Sequence, residues 1–129
     1  FTKDYRKVLM VKRNKPPYKD CWNGIGGKIE GSETEIQATI RECFEETNEI
    51  ITKDNFIGEL APFEITFISH ENKLIKKTIY PLTFRVDKMG NLKAKEERIR
   101  KVKYLNIGEF LLKCTYDNVK TMIMEATCK

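Results

Sequence analysis

Residues 26–49 read GGKIEGSETEIQATIRECFEETNE, a glycine pair followed by a stretch in which carboxylates recur at helical spacing. Between Glu33 and Glu49 there are six acidic residues and a single base, Arg41. The whole chain has a net charge of +5, so the sequence outside this segment is strongly basic. An acidic island in a basic protein suits the binding of cations, and the basic remainder suits an anionic ligand.

This segment predicts one helix. Ser32 can cap its start with Glu35 as the capping-box partner, and the helix runs to about Thr47. Asn48 follows at the position where a left-handed residue is expected. At about 100° per residue, the apolar face consists of Ile36, Ile40, Cys43 and Thr47, with Phe44 nearby. The opposite face, directed away from the sheet, carries Glu42, Glu45, Glu46 and Glu49.

Carboxylates three and four residues apart lie next to each other on a helix. Their repulsion costs a few tenths of a kcal/mol per pair, and a divalent cation would turn that repulsion into ligation. Because the available ligands are oxygens, the pattern favours Mg²⁺ or Mn²⁺ over zinc. A solvated acidic face is the alternative interpretation. Gly24, Gly26 and Gly27 weigh against it, because they let the backbone approach a ligand.

Length and composition indicate an ordinary globular protein. The 129 residues fit a single domain over 1–129, with 40% hydrophobic and 33% charged residues. No apolar run approaches the roughly 20 residues of a membrane span, and no signal-peptide pattern is visible. Four scattered cysteines and one histidine argue against zinc and a disulfide framework, so we expect a reduced, cytoplasmic protein. The lysines are spread along the chain, which disfavours a nucleic-acid surface, and we expect a monomer or a homodimer.

Strand and helix patterns are interspersed along the chain. Strands are predicted at residues 8–11, 63–69, 74–86 and 102–105. A turn at 69–73 should make a hairpin, and Pro81 should force a bulge or an edge position. Helices are predicted at 107–112 and near the C-terminal end, where Val119, Met122, Ile123 and Ala126 are helically spaced. The fold class is therefore α/β (α+β), a mixed β-sheet sandwiched between helices.

The order Gly27, five residues, Glu33, seven residues and Arg41-Glu42-Cys43-Phe44-Glu45-Glu46 resembles the signature of the Nudix hydrolases. The stretch WNGIGGK at 22–28 is similar to the MutT-like branch, which cleaves nucleoside triphosphates, including oxidised purines such as 8-oxo-dGTP. Asn48 and Glu49 replace the usual Gly and apolar residue of the family, and Ser32 replaces a Gly. We expect Asn48 to keep the left-handed turn and Ile50 to take over the missing packing.

The resemblance implies a set of site residues. The catalytic residues are Glu33, Arg41, Glu42, Glu45 and Glu46. Glu45 and Glu46 are the principal metal ligands, Glu42 is a further ligand or the base, and Arg41 and Glu33 orient the others as a pair. The remaining metal ligands are the Gly26 carbonyl and, from the loop before the last strand, Glu97 with Glu96 as the alternative. The substrate-binding residues are Trp22, Asn23, Gly27, Lys28 and Asp117, of which Trp22, Lys28 and Asp117 are alternatively a core residue, a surface residue and a helix cap.

The implied activity is the Mg²⁺- or Mn²⁺-dependent hydrolysis of a pyrophosphate bond in a nucleoside triphosphate, giving a nucleoside monophosphate and pyrophosphate. The alternative substrates are ADP-ribose, a dinucleoside polyphosphate or the 5′ end of an RNA. A non-catalytic, nucleotide-binding sensor is a further alternative. The presence of every metal-site glutamate of the motif argues against that sensor.

Overall fold

The computed structural model describes residues 1–15, 19–69, 71–113 and 124. The strands are β1 (Lys7–Arg13), β2 (Trp22–Asn23), β3 (Phe56–Glu59), β4 (Phe63–Ile68), β5 (Leu74–Ile79), β6 (Leu82–Phe84) and β7 (Ile99–Asn106). The helices are α1 (Glu35–Thr47) and α2 (Ile107–Lys113), with a short 3₁₀ turn at Lys53–Asn55. The predicted C-terminal helix and Asp117 lie outside the described residues.

The described strands form three small antiparallel sheets. The order β2-β1-β7 makes one, and the pairs β3-β6 and β4-β5 make the other two. An isolated parallel bridge between Thr2 and Val86 links the chain before β1 to the end of β6. Strands and helices in this arrangement confirm the predicted α+β class. Among the described helices, none is long and apolar enough to cross a membrane.

Helix α1 begins two residues later than the sequence suggested. Thr34 is the N-cap, its hydroxyl accepts from the Gln37 amide at 3.1 Å, and the Gln37 side chain accepts from the Thr34 amide at 2.8 Å. The predicted Ser32–Glu35 capping box is therefore wrong. Asn48 ends the helix in the left-handed conformation at φ 66°, as predicted, and its amide donates to the Phe44 carbonyl at 3.0 Å.

The core lies between β1, β7 and α1. Strand β1 is buried over its middle because Val8, Leu9, Met10 and Val11 form a continuous apolar run. On the helix side, Ile36, Ile40 and Cys43 pack against the cluster that contains Leu9, Phe84 and Tyr104. Phe44 was expected beside this face, but its side chain is turned to solvent and is 42% exposed.

The predicted strand over 74–86 is two strands. Strand β5 pairs with β4 as the expected hairpin, whereas β6 pairs with β3, a strand that the sequence did not reveal. Pro81 lies between them, and the Leu60 amide donates to its carbonyl at 3.0 Å. Because proline cannot donate a ladder hydrogen bond, it separates one sheet from the next instead of forming a bulge.

Candidate active site

Helix α1 carries two carboxylates that are almost completely buried. Glu42 and Glu46, one turn apart, are only 8% and 4% exposed. The glycine turn covers Glu42, since a side-chain carbon added to Gly27 would overlap the Glu42 carboxyl group. These two carboxylates are therefore enclosed, unlike the solvated acids that a Glu-rich helix usually presents.

Arg41 holds the motif acids in place. Its Nη1 donates to Glu42 Oε1 at 2.9 Å and to Glu45 Oε2 at 3.1 Å. Its Nη2 donates to Glu33 Oε1 at 2.6 Å and to the Lys28 carbonyl at 2.9 Å. Glu33 and Arg41 are thus paired, as expected, and this hydrogen bonding lowers the pKa of Glu33. The guanidinium fork joins the glycine turn to the helix, which fixes both in one arrangement.

A second arginine, Arg98, enters the same group from the loop before β7. Its Nη2 donates to Glu46 Oε1 at 2.7 Å and lies 3.7 Å from Glu42 Oε2. Its Nε donates to Glu96 Oε2 at 2.5 Å. Sequence reasoning missed Arg98, because nothing local distinguishes it among 24 lysines and arginines. The sequence offered one indication: Arg98 directly follows two neighbouring acids, Glu96 and Glu97, just before a strand begins.

The loop acid at the site is Glu96. Carboxylate oxygens of Glu42, Glu45 and Glu96 all lie within 4.8 Å of one another. Glu97, the first choice from the sequence, points away: its side chain is 87% exposed and its carboxylate lies 3.7 Å from Lys15 Nζ. The geometry therefore favours Glu96 over Glu97 as the ligand from this loop.

Burial changes the acidity of Glu46. Removal of its carboxylate from water raises the pKa to about 8, and the negative charges of Glu42 and Glu96 add to this effect. Arg98 and a backbone hydrogen bond from Gly26 oppose the rise without cancelling it. Glu46 thus combines a high proton affinity with a position beside the glycine turn.

A cavity of about 470 Å³ opens next to the glycine turn. Its polar wall includes Asn23, Gly26, Gly27 and Glu42, and its apolar wall includes Phe63, Ile65, Ile79 and Leu82. Of the predicted substrate-binding residues, Asn23 and Gly27 line this cavity. Trp22 instead packs against the cluster of Val8, Met10 and Ile107, and Lys28 is exposed outside the cavity.

Comparison with known proteins decides the family. The sequence profile of the NUDIX domain matches residues 1–125. The chain belongs to the Nudix family. Over 55 residues it is 38% identical to dihydroneopterin triphosphate diphosphatase from Haemophilus influenzae, and this match covers 43% of the chain and 34% of that relative. The chain thus matches about a third of the length of that relative.

Solved Nudix structures share the fold. Dihydroneopterin triphosphate pyrophosphohydrolase from E. coli superposes with a TM-score of 0.72 at 19% identity, covering 97% of this chain and 88% of the other. The Nudix domain of NrtR from Shewanella oneidensis, complexed with ADP-ribose, gives 0.74 at 19% identity, covering 94% and 75%. These structures confirm the predicted Nudix fold, and the family match supports the prediction of a pyrophosphohydrolase.

The departure from the Nudix motif at Glu49 has a structural role. The Glu49 side chain turns inward, is 4% exposed, and accepts from the Tyr104 hydroxyl at 2.8 Å and the Gly90 amide at 3.0 Å. Ile50 was expected to replace the missing apolar contact but is 72% exposed, and Ile51, at 6%, does so instead. Glu49 therefore anchors the loop 87–98, which carries Glu96 and Arg98.

The donor set fits a hard divalent cation. Glu42 Oε2 is buried and has no hydrogen-bond partner within the described chain, an arrangement that costs free energy unless a cation compensates it. Glu45 and Glu96 supply further carboxylate oxygens within reach. An all-oxygen, partly buried group of this kind suits Mg²⁺ or Mn²⁺.

Proposed function

We propose that this domain hydrolyses a pyrophosphate bond of a nucleoside triphosphate, with Mg²⁺ or Mn²⁺ as the cofactor, giving a nucleoside monophosphate and pyrophosphate. The observation that carries the proposal is the convergence of Glu42, Glu45 and Glu96 beside the glycine turn, next to a cavity of about 470 Å³. A nucleoside polyphosphate needs both features, because its phosphates require cations and its base requires an apolar wall.

The metal would be held by Glu42, Glu45 and Glu96, with Glu46 adjoining them. When bound, Mg²⁺ neutralises phosphate oxygens and lowers the pKa of the attacking water. The chain's own contribution is positional. Arg41 and Glu33 fix the carboxylates before substrate arrives, which lowers the entropic cost of assembling the site.

The rest of the chain favours polyphosphate binding. The net charge of +5, despite the acidic helix, leaves a basic surround that attracts anionic substrates. The apolar wall of the cavity, from strands β4 to β6, would accept the nucleobase, and Asn23 at its rim would offer a polar contact. The free thiol of Cys43 fits a reducing compartment, and we propose that the protein acts in the cytoplasm.

A pterin triphosphate is the second candidate substrate. The 38% identical segment belongs to a dihydroneopterin triphosphate diphosphatase. A dihydropterin ring resembles a purine in size and carries the same triphosphate, so the same metal and cavity arrangement would serve it. ADP-ribose, present in one structural neighbour, is tested alongside it.

The decisive experiment is a substrate screen with purified protein and millimolar Mg²⁺ or Mn²⁺. Nucleoside triphosphates, 8-oxo-dGTP, dihydroneopterin triphosphate, ADP-ribose and a dinucleoside polyphosphate are each incubated and the products are separated by chromatography. We expect a monophosphate with pyrophosphate from one triphosphate class. Glu46→Gln is the inactive control. A protein that binds these compounds and hydrolyses none of them would be a sensor instead.

A further inference from the structure

Arg98 lies among the carboxylates of Glu42, Glu46 and Glu96. Together with Glu45 these acids form the carboxylate cluster of the site. The Arg98 guanidinium contacts Glu46 and Glu96 directly and lies within ion-pair distance of Glu42. The Glu42 and Glu46 side chains around it are 10% and 5% exposed, whereas the Arg98 side chain is 38% exposed. The arginine side chain is therefore open to solvent, whereas Glu42 and Glu46 are buried on helix α1.

Arg98 approaches two of the three carboxylates that a divalent ion would need. Glu42 and Glu96 both belong to the set of converging carboxylates. Glu42 Oε2 accepts no hydrogen bond within the described chain and lies 3.7 Å from Arg98 Nη2. Two cations at one set of carboxylates repel strongly where water is partly excluded. A divalent ion bound to Glu42 and Glu96 therefore disfavours the docked position of the Arg98 guanidinium.

The backbone next to Arg98 is tied down, so the side chain is the part that can respond. The Asn14 amide donates to the Arg98 carbonyl at 2.8 Å, and the Asn14 side chain donates to the Glu97 carbonyl at 3.3 Å. The following residue, Ile99, is 6% exposed and anchors the start of β7. Rotation about the side-chain bonds of Arg98 moves the guanidinium outward without disturbing the strand.

We propose that Arg98 is an internal cation that neutralises the carboxylate cluster in the metal-free protein and withdraws when the divalent ion binds. Arg98 docking and metal binding then compete for the carboxylates of Glu42 and Glu96, and each weakens the other by the same factor. Arg98 thereby sets the metal concentration at which the site fills. The inference rests on the proposed function, because it takes the carboxylate cluster as the metal site.

The test compares Arg98→Met with Arg100→Met. Arg100 lies two residues along, is bonded to Asp20 at 2.9 Å and is 52% exposed, so its replacement removes the same charge outside the site. Mg²⁺ is titrated at pH 8.5, where protons compete weakly with the ion, and affinity is measured by calorimetry and by the rise in Tm. We expect Arg98→Met to bind Mg²⁺ on the order of tenfold more tightly and to have a lower Tm without metal. Arg100→Met should match the wild type, and Arg98→Lys should fall between.

The outcomes separate the two claims. Unchanged or weaker Mg²⁺ binding by Arg98→Met, with normal binding by the wild type, would overturn the role of Arg98 and leave the proposed function intact. No binding by any of these proteins would overturn the metal site and both claims with it.

A measurement on the wild type guards against a variant that folds poorly. In ¹⁵N-labelled protein, the Nε–H signal of Arg98 is identified by its loss in Arg98→Met. We expect this signal to shift toward that of a solvated arginine at saturating Mg²⁺. The Arg41 Nε–H signal should stay in place, because its acceptor is Glu33, which is not a proposed metal ligand. An Arg98 signal that Mg²⁺ leaves unmoved would show that the guanidinium does not withdraw.

Discussion

The Tyr104 hydroxyl donates a 2.8 Å hydrogen bond to Oε2 of Glu49, joining strand β7 to the residue that ends the Nudix motif. Burial and the neighbouring Glu49 charge raise the pKa of Tyr104 above its ordinary value, so the phenol remains the donor. The same carboxylate oxygen accepts from the Gly90 amide. One buried glutamate thus connects the end of helix α1, the β2-β1-β7 sheet and the loop that carries Glu96.

Replacing Tyr104 with Phe removes one donor from this buried carboxylate. Because hydrogen bonds to charged groups contribute roughly 1.5–3 kcal/mol, we expect the free energy of unfolding to fall by about 2 kcal/mol in urea denaturation. Tyr80→Phe is the matched control, since Tyr80 is 64% exposed and its loss should change stability by less than about 0.5 kcal/mol. Equal effects of the two substitutions would contradict a stabilising role for the Tyr104–Glu49 bond.

Replacement by alanine should reduce kcat/KM strongly at Gly27 and only slightly at Gly26. A side-chain carbon at Gly27 would overlap the Glu42 carboxyl group, whereas one at Gly26 meets nothing within 4 Å. Gly27→Ala must therefore displace Glu42 from Arg41 and from the metal site. Since misplacement of a catalytic group by about 1 Å costs on the order of a hundredfold in rate, we expect a loss of this size in kcat/KM.

Gly26→Ala should keep kcat/KM within a few-fold of the wild type, because its added carbon has open space. Both proteins are assayed at saturating Mg²⁺ on the substrate found in the screen. Comparable losses would show that the turn needs glycine for backbone freedom, and that the space over Glu42 is not the reason for Gly27.

The sequence predicted what depends on local spacing. The periodicity of 36–47 predicted the helix and its faces, and Asn48 was expected to adopt the left-handed conformation that it shows. The cap was misassigned because Ser32 and Thr34 are both hydroxyl residues, and each is followed three residues later by a side chain that can complete a capping box. Local rules allow either cap, and packing of the turn over the helix decides between them.

Contacts between distant segments could not be predicted in the same way. Arg98 meets Glu46 across 52 residues, and Tyr104 meets Glu49 across 55. Which of two neighbouring acids enters the site depends on how the loop 87–98 is held by residues 47–49 of the helix end. The inward turn of Glu49 was equally hidden, because a charged residue is expected to be exposed unless its partners are known.

The stability of the metal-free protein should depend on pH through Glu46. Its pKa is about 8 in the folded protein against an ordinary value of 4.5, chiefly because of burial. Between these values the folded state holds a proton that the unfolded state has lost, so the free energy of unfolding decreases as pH rises from about 4.5 to 8. The contribution is fully present below that range and amounts to a few kcal/mol at most.

Glu46→Gln removes this titration, so the free energy of unfolding of this variant without metal should change less than that of the wild type between about pH 5 and pH 8.5. Urea denaturation in the presence of a chelator measures the effect at each pH. Glu45→Gln is the control, because it makes the same substitution at a half-exposed position on the same helix. A Glu46→Gln profile parallel to that of the wild type would remove Glu46 as the source of the dependence.

Glu96 and Glu97 offer a charge-matched test of the metal site. Glu96 belongs to the carboxylate cluster, while Glu97 forms an exposed ion pair with Lys15. We expect Glu96→Gln to weaken Mg²⁺ binding by on the order of tenfold or more, because ligand charge sets affinity at such sites. Glu97→Gln should bind Mg²⁺ within about twofold of the wild type, since surface pairs contribute little.

Arg98 complicates the Glu96 measurement, because loss of Glu96 also removes one of the bonds that hold the guanidinium in the site. Both glutamine variants are therefore repeated in the Arg98→Met background, where no internal cation competes. There the loss of Mg²⁺ affinity caused by Glu96→Gln should be larger than in the wild-type background. In the wild-type background, removal of Glu96 also loosens Arg98, and this weaker competitor partly offsets the lost ligand. Equal affinities of the two glutamine variants in the Arg98→Met background would show that the loop contributes only its overall charge to metal binding, and not a specific ligand.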